Sequence, residues 1–180
     1  YYILYMTKHS AQLDVSKNTI TKRFKKKSDK AFVKFIRELS VYQSSTDMNL
    51  KYIPKLISYD FKNRTITIEK ISGFDLGTIP ESDFEEREKY LPLIKKVLKS
   101  FKKDLNLYHN DILYRNFVYN PKKGRLYIID FESASIERTS HEPKDYIEIN
   151  IKKKLKTKKK SKKKSKKKSK NLKNKFDNLK

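Results

Sequence analysis

Four polar side chains in the segment 108–132 have the types and the spacing that suit ATP-dependent phosphoryl transfer. The second lies two positions after the first, the third lies five further on, and the fourth closes an apolar run at 126–129: His109, Asp111, Asn116 and Asp130. The apolar run predicts a buried strand, and turn residues at 120–124 favour a hairpin before it. Each fragment alone also fits a helix-ending turn or an ordinary strand end. Their combination in one segment is far more specific and predicts a phosphoryl-transfer enzyme.

The length of the chain limits its organisation. At 180 residues it holds one substantial domain, or two small lobes around a cleft. From Ile151 onward the sequence repeats KKKS without an apolar period, which predicts a disordered tail. Residues 152–180 hold 17 lysines and one aspartate, so they carry +16 of the net charge of +24.

The composition of this tail favours nonspecific binding of nucleic acid, anionic membrane or acidic proteins, and it resembles a nuclear-localisation segment. A tail that only keeps the chain in solution fits the same composition. No aromatic residue interrupts the KKKS repeats, so base stacking is not expected.

Cysteine is absent, which excludes disulfides and thiolate metal sites and favours an intracellular protein of the cytoplasm or nucleus. The three histidines show no zinc-ligand spacing. The amino-terminal YYILYM is too short for a transmembrane helix and lacks the features of a signal peptide, so we predict a strand there. The first residue is not methionine, which leaves open that the sequence is a fragment.

The elements before the motif follow the order strand, helix, hairpin. The β-forming residues at 18–24 predict a strand, and the apolar face of 29–43 predicts a helix. Two β-rich runs around a turn at 62–63 predict a hairpin. A connector at 72–80 is the predicted hinge between lobes. One long helix then leads to the motif, capped by Ser82 or Asp83, with an apolar stripe at Leu91, Ile94, Leu98, Phe101 and Leu105.

The motif HND…N…IDF, together with this order of elements, resembles the protein-kinase-like superfamily, particularly its compact atypical and aminoglycoside-phosphotransferase-like branches. The resemblance covers about residues 15–140. It implies an α+β, two-lobed protein-kinase-like fold with a reduced large lobe. The small lobe would occupy 1–72, the large lobe 73–150, and the disordered lysine-rich tail 151–180.

The same resemblance assigns roles to the motif residues. Asp111 would accept or orient the proton of the substrate hydroxyl, whereas Asn116 and Asp130 would hold the magnesium ions that bridge the ATP phosphates. Oxygen ligands suit that hard cation. Arg115 lies where a cation offsets charge on the transferred phosphate. A surface arginine, or one paired with Glu132, is the competing interpretation.

Two further residues match the ATP-anchoring ion pair of the superfamily. Lys22, in TITK, resembles the strand lysine that contacts the α and β phosphates, and Glu38, in FIREL, resembles the helix glutamate that holds it. A solvated helix glutamate is the alternative for Glu38. Three other cations compete for the lysine role: Lys17, Arg23 and Lys25.

The segment TITIEKISGFDL resembles the strand and connector that line the adenine pocket, which places backbone groups of Glu69, Lys70 and Ile71 near the base. Gly73 resembles the glycine of an xGxxL connector, although a turn glycine explains it equally well. Residues 1–17 contain no glycine, so the glycine-rich loop over the phosphates is different or missing. The sequence DFE replaces DFG, with its glutamate either near the metal or facing solvent.

The sequence therefore predicts a phosphotransferase that moves the γ-phosphate of Mg-ATP to a hydroxyl, with serine or threonine of a protein as the favoured acceptor. Three alternatives stay open: a nucleotide-binding pseudokinase, a small-molecule kinase, and a polyanion-binding protein that acts through its lysine tail. The intact Asp111, Asn116 and Asp130 argue against the pseudokinase.

Overall fold

A computed structural model describes residues 11–138 of the protein. Within this range the strands are β1 (Ala11–Val15), β2 (Thr19–Phe24), β3 (Leu56–Asp60), β4 (Thr65–Glu69), β5 (Phe74–Asp75), β6 (Phe117–Asn120) and β7 (Arg125–Ile128). The helices are α1 (Asp29–Asp47), α2 (Phe84–Lys89) and α3 (Leu91–Leu105), and two 3-10 turns lie at Leu76–Thr78 and Tyr114–Asn116. The strands form two antiparallel sheets.

The first sheet has the strand order β1-β2-β4-β3, which places β2 in its interior. Lys22 of β2 lies opposite Leu13 of β1 and Ile66 of β4. Because β2 is bonded on both edges and its side chains alternate, the direction of Lys22 is fixed. Lys22 and Phe24 therefore share the buried face, and only 9% of Lys22 is exposed.

Helix α1 packs against this sheet. Ser28 caps the helix by accepting a hydrogen bond from the Ala31 N–H at 3.2 Å. Phe35 of the helix meets Phe24 of β2 edge-on, with 5.7 Å between ring centroids. The helix continues to Asp47, four residues beyond the end predicted at 43.

The second sheet has the order β5-β6-β7, and its first strand consists of only two residues. Gly73, just before β5, approaches β6 so closely that a Cβ added there would lie 2.1 Å from the Tyr119 carbonyl oxygen. A side chain at this position would displace the backbone of β6. The start of the predicted connector at 72–80 is thus built into the second sheet.

The structure divides the single helix predicted after Asp83 into two. Asp83 caps α2 by accepting from the Glu86 N–H at 3.2 Å, and α2 ends before Tyr90. Pro92 lies in the first turn of α3, where its missing N–H breaks no helical hydrogen bond. The buried side of α3 is formed by Ile94, Val97 and Phe101.

The hairpins predicted around 62–63 and 120–124 are confirmed as β3–β4 and β6–β7. The strand predicted within YYILYM and the tail predicted at 151–180 lie outside the described residues. Among residues 11–138, no helix combines the length and the apolar character needed to cross a bilayer.

Candidate active site

A cavity of about 420 Å³ lies between the two sheets and contains most of the predicted site residues. Its apolar wall is formed by Leu13, Ile20, Ile66, Ile68, Val118 and Ile129. Its polar side chains include Lys22, Glu38, Asn116 and Asp130. An apolar cavity with a few convergent polar groups is typical of a small-molecule or cofactor site.

Lys22 lies among three carboxylates. Its Nζ is 2.7 Å from Glu38 Oε2, 2.9 Å from Asp130 Oδ1 and 2.7 Å from Glu132 Oε1. The structure therefore brings together the predicted lysine and glutamate. The cations that competed for the lysine role are placed elsewhere: Arg23 lies 3.8 Å from Asp14, and Lys17 and Lys25 are exposed.

Burial and the attraction between Lys22 and the carboxylates shift the pKa values of Lys22 and Glu38 in opposite directions. Burial opposes the charged form of Lys22, but the three carboxylates outweigh it and raise the pKa of Lys22 well above its ordinary value. Burial raises the pKa of Glu38 to about 7, although Lys22 acts in the other direction. Lys22 is therefore a fixed positive charge in the cavity at neutral pH.

Asp111 and Asn116 are joined by the second 3-10 turn. The Asn116 side-chain amide donates to the Asp111 carbonyl at 2.8 Å and to Asp111 Oδ2 at 2.9 Å. The Asn116 N–H donates to the Leu113 carbonyl, and its own carbonyl accepts from the Ile129 N–H. Only 2% of Asn116 is exposed, so these bonds replace those to water. Because the amide nitrogen is used in this way, the amide oxygen is the atom that Asn116 can offer to a metal.

His109 connects the loop of Asp111 to the loop of Asp130. Its Nε2 lies 2.9 Å from the Ile129 carbonyl, and its Nδ1 lies 3.3 Å from the Asp111 N–H. A carbonyl only accepts, so Nε2 carries the proton and Nδ1 accepts from the backbone. Burial lowers the pKa of His109, which favours the neutral imidazole that this pattern requires.

Asp130 has a left-handed backbone conformation, with φ of 66°. Few residues other than glycine adopt this conformation, although aspartate and asparagine do so more readily than most. The residue follows Ile129, whose N–H is held by Asn116. The bend directs the Asp130 carboxylate into the cavity, where it meets Lys22.

The segment predicted to meet adenine, 69–71, lines the cavity. The backbone N–H of Glu69 donates to the Lys55 carbonyl, and the backbone N–H of Lys70 donates to the Asn18 carbonyl. The side chain of Lys70 donates to the Ser16 carbonyl at 3.2 Å. Lys70 therefore ties the connector to the tip of the β1–β2 hairpin.

A tight turn at 16–18 joins β1 to β2, where the superfamily has its glycine-rich loop. The Ser16 hydroxyl accepts from the Thr19 N–H at 3.0 Å, and the Ser16 N–H donates to the Thr19 carbonyl at 2.9 Å. These bonds stabilise a turn that needs no glycine. The missing glycines thus correspond to a short hairpin tip beside the cavity.

Arg115 lines the cavity on the side of Asp75. The backbones are close here, since a Cβ added to Gly77 would lie 2.8 Å from Arg115 Cβ. Burial raises the pKa of Asp75 to about 6, against the opposing effects of the Gly77 N–H and the Arg115 charge. The alternative partner proposed for Arg115, Glu132, instead contacts Lys22 and Lys34.

The structure adds Asp75 and Glu132 to the residues that sequence reasoning selected. The sequence drew attention to Glu132 because it directly follows the DF pair, and it left two predictions for this side chain, a position near the metal or one facing solvent. Its side chain is buried and paired with lysines. No sequence pattern marks Asp75, because its place in the cavity depends on the pairing of β5 with β6.

A family model described as Choline/ethanolamine kinase matches residues 9–142. That range contains every residue of the candidate site. The chain belongs to the choline/ethanolamine kinase family. Family membership confirms the predicted kinase-like superfamily and relates the chain to kinase-type phosphotransferases. A comparison with curated proteins gave no match.

Crystal structures of WbdD have a fold similar to that of the present chain. The structure with the kinase inhibitor LY294002 has a TM-score of 0.52 and 17% identity, over 71% of this chain and 32% of WbdD. A second crystal structure, at 2.2 Å, has a TM-score of 0.53 and 16% identity, over 77% of this chain and 33% of WbdD. The chain thus spans about one third of the length of these structures. At this identity the likeness concerns the fold alone, and it confirms the predicted α+β kinase-like fold.

Proposed function

We propose that the cavity binds Mg-ATP and that the chain transfers the γ-phosphate to the hydroxyl of a small amino alcohol, choline or ethanolamine. The main support for this proposal is that Lys22, Asn116 and Asp130 line the same cavity. Asp111 is hydrogen-bonded to Asn116. The description of the family supports a small alcohol as acceptor. A protein serine or threonine, which the sequence alone favoured, is the second candidate acceptor.

The cavity suits ATP at both of its ends. Aliphatic side chains from both sheets, Ile20 and Val118 among them, provide apolar faces for the adenine ring. The segment 69–71 would contact the edge of the base through its carbonyls and through Ile71, since two of its N–H groups already donate within the fold. Lys22 supplies a fixed positive charge for the phosphates, oriented by Glu38.

The oxygen donors of Asn116 and Asp130 suit magnesium, which prefers hard oxygen ligands. The Lys22 ammonium lies 2.9 Å from Asp130 Oδ1, so a metal ion at this oxygen would require Lys22 to move away from it. When bound, Mg²⁺ neutralises charge on the phosphates. Lys22 would then exchange its contact with Asp130 for contacts with phosphate oxygens.

The hydroxyl oxygen of the acceptor bonds to the γ-phosphorus while the bond from this phosphorus to the β–γ bridging oxygen breaks and ADP leaves, and Asp111 takes the hydroxyl proton. Asn116 orients the carboxylate for this step, because it binds Oδ2. Arg115, on the same turn, lines the cavity and offsets negative charge that develops on the transferred group.

The test is transfer of labelled γ-phosphate from ATP by the full chain to choline, ethanolamine and a serine-containing basic protein, each in parallel with Asp111→Asn. The proposal expects a labelled phosphoester of choline or ethanolamine that depends on Asp111. Label on the protein alone would select the second acceptor. Mg-ATP binding without transfer to any acceptor would overturn the proposed activity and favour a pseudokinase.

A further inference from the structure

Glu132 divides its carboxylate between lysines from two different elements. Its Oε1 lies 2.7 Å from Lys22 of β2, and its Oε2 lies 2.7 Å from Lys34 of α1. Only 6% of Glu132 is exposed, whereas 40% of the Lys34 side chain is exposed. The carboxylate is thus held from the cavity side and from the helix side at once.

The backbone of Glu132 is also bonded to α1. Arg37 donates from its guanidinium to the Glu132 carbonyl at 2.8 Å. Lys34 and Arg37 are three positions apart, so they lie on the same side of the helix, and Glu38 follows directly. Glu132 therefore receives two charge-assisted bonds from α1, one from Lys34 and one from Arg37.

We propose that Glu132 is a positioning residue that couples α1 to the Asp130 loop and holds Lys22 in place for nucleotide phosphates. The proposal rests on the proposed binding of Mg-ATP in this cavity. Its consequence follows from the exchange described above. If Asp130 coordinated a metal ion, Lys22 would lose one of its three anionic partners, and Glu132 and Glu38 would still hold it in position.

A metal-binding role for Glu132 is the competing explanation. One oxygen from each of Glu38, Asp130 and Glu132 lies within 4.8 Å of the others, a spacing that a metal ion would also accept. However, each oxygen of Glu132 already lies 2.7 Å from an ammonium group. Two positive charges at this distance oppose the approach of a further cation. Glu132 therefore acts on the nucleotide through Lys22.

The experiment compares Glu132→Gln, Lys34→Met and the double variant with the parent chain, and uses Lys30→Met as matched control. Lys30 is an exposed lysine on the same helix, one turn before Lys34. The affinity for ATP is measured by calorimetry over a range of Mg²⁺ concentrations. Hydrogen exchange of the α1 amides and the thermal midpoint are measured on the same samples.

We expect Glu132→Gln to weaken ATP binding about tenfold at saturating Mg²⁺, the usual effect of losing a charge-assisted bond. Lys34→Met should weaken it less, and the double variant should resemble Glu132→Gln, since both changes break one connection. The Mg²⁺ dependence should stay as in the parent. Exchange of the α1 amides should accelerate in all three variants and not in Lys30→Met.

Three results would overturn the proposal: parent-like ATP affinity in Glu132→Gln, a defect that high Mg²⁺ restores, or additive effects in the double variant. The second result would assign Glu132 to the metal. A general loss of stability would lower the thermal midpoint without the selective loss of ATP affinity. If Glu132→Gln does not fold, Lys34→Met still tests the same connection.

If the parent binds ATP but transfers no phosphate, the proposed activity fails while the role of Glu132 is still measured. If the parent binds no ATP, both proposals fail.

Discussion

The side-chain amide of Asn116 holds Asp111 at two points, its backbone carbonyl and its Oδ2. Both bonds are shorter than 3.0 Å, and Asn116 itself is buried in the 3-10 turn. The carboxylate that would accept a proton is therefore oriented before any acceptor arrives. Preorganisation of this kind reduces the reorganisation needed in the transition state.

Asp111→Asn should preserve ATP binding but reduce phosphoryl transfer by about two to four orders of magnitude, the range for losing a positioned acid–base group. The substituted amide can turn its oxygen toward Asn116, so position survives while basicity is lost. Purified parent and variant are compared for ATP affinity and for transfer to the best acceptor. Asp47→Asn, an exposed aspartate at the end of α1, is the matched control. Equal transfer rates in parent and Asp111→Asn would remove Asp111 from the mechanism.

Asp130→Ala should abolish the Mg²⁺-dependent part of ATP binding, because it removes the carboxylate that directs its oxygen into the cavity. Asn116→Ala should weaken binding less but also lower transfer, since it releases Asp111. A titration of ATP with and without Mg²⁺ measures both effects. An Asp130→Ala protein that binds Mg-ATP as tightly as the parent contradicts the metal assignment.

The stability of the fold should depend on Asp75 between about pH 4 and pH 6. Burial raises the pKa of Asp75 from 3.8 to about 6 in the folded state, so folding favours the protonated form. The contribution is complete below pH 3.8 and is lost as the pH rises through about 6. Asp75→Asn keeps an acceptor for the Gly77 N–H and removes the titration.

Urea unfolding of parent and Asp75→Asn at pH 4, 5, 6 and 7 measures this dependence. The parent should lose stability relative to the variant as the pH rises, by about 1 kcal/mol over the range, because Asp75 is only partly buried and solvent screening reduces the effect of its pKa shift. Asp47→Asn again serves as control. A difference between parent and Asp75→Asn that does not change with pH would show that Asp75 titrates normally.

The lysine-rich segment 152–180 should bind nucleic acid weakly and without sequence preference, because its charges are closely spaced and include no base-reading pattern. Binding by the full chain is compared with that of a chain ending at residue 151, at low and near-molar salt. We expect the longer chain to bind only at low salt. Salt-independent binding, or equal binding by both chains, would exclude this electrostatic explanation.

The sequence predicted the parts of the fold that depend on local patterns. The strand of Lys22 and the helix of Glu38 are visible from β-forming residues and helical periodicity. The family motif added the expectation that these two residues meet, and they lie 2.7 Å apart. Motif spacing likewise placed Asp111 and Asn116 on one short loop.

The remaining features depend on contacts between distant segments. The two residues of β5 are too few to show a strand period, and their pairing with β6 requires the close approach of Gly73 to Tyr119. The break between α2 and α3 interrupts an otherwise continuous helical pattern at Tyr90. The lysine partners of Glu132 come from elements about a hundred residues away in the sequence, so no local pattern identifies them.

Only residues 70–73 pass from the last residue of β4 to the first residue of β5, and Gly73 is fixed against Tyr119. A connection of only four residues limits how far the end of β4 can move away from the start of β5. Lys22 belongs to the first sheet and Asp130 follows the last strand of the second, so their 2.9 Å contact joins the two sides of the cavity. Any change in the separation of the two sheets would therefore change the distance between Lys22 and Asp130 directly.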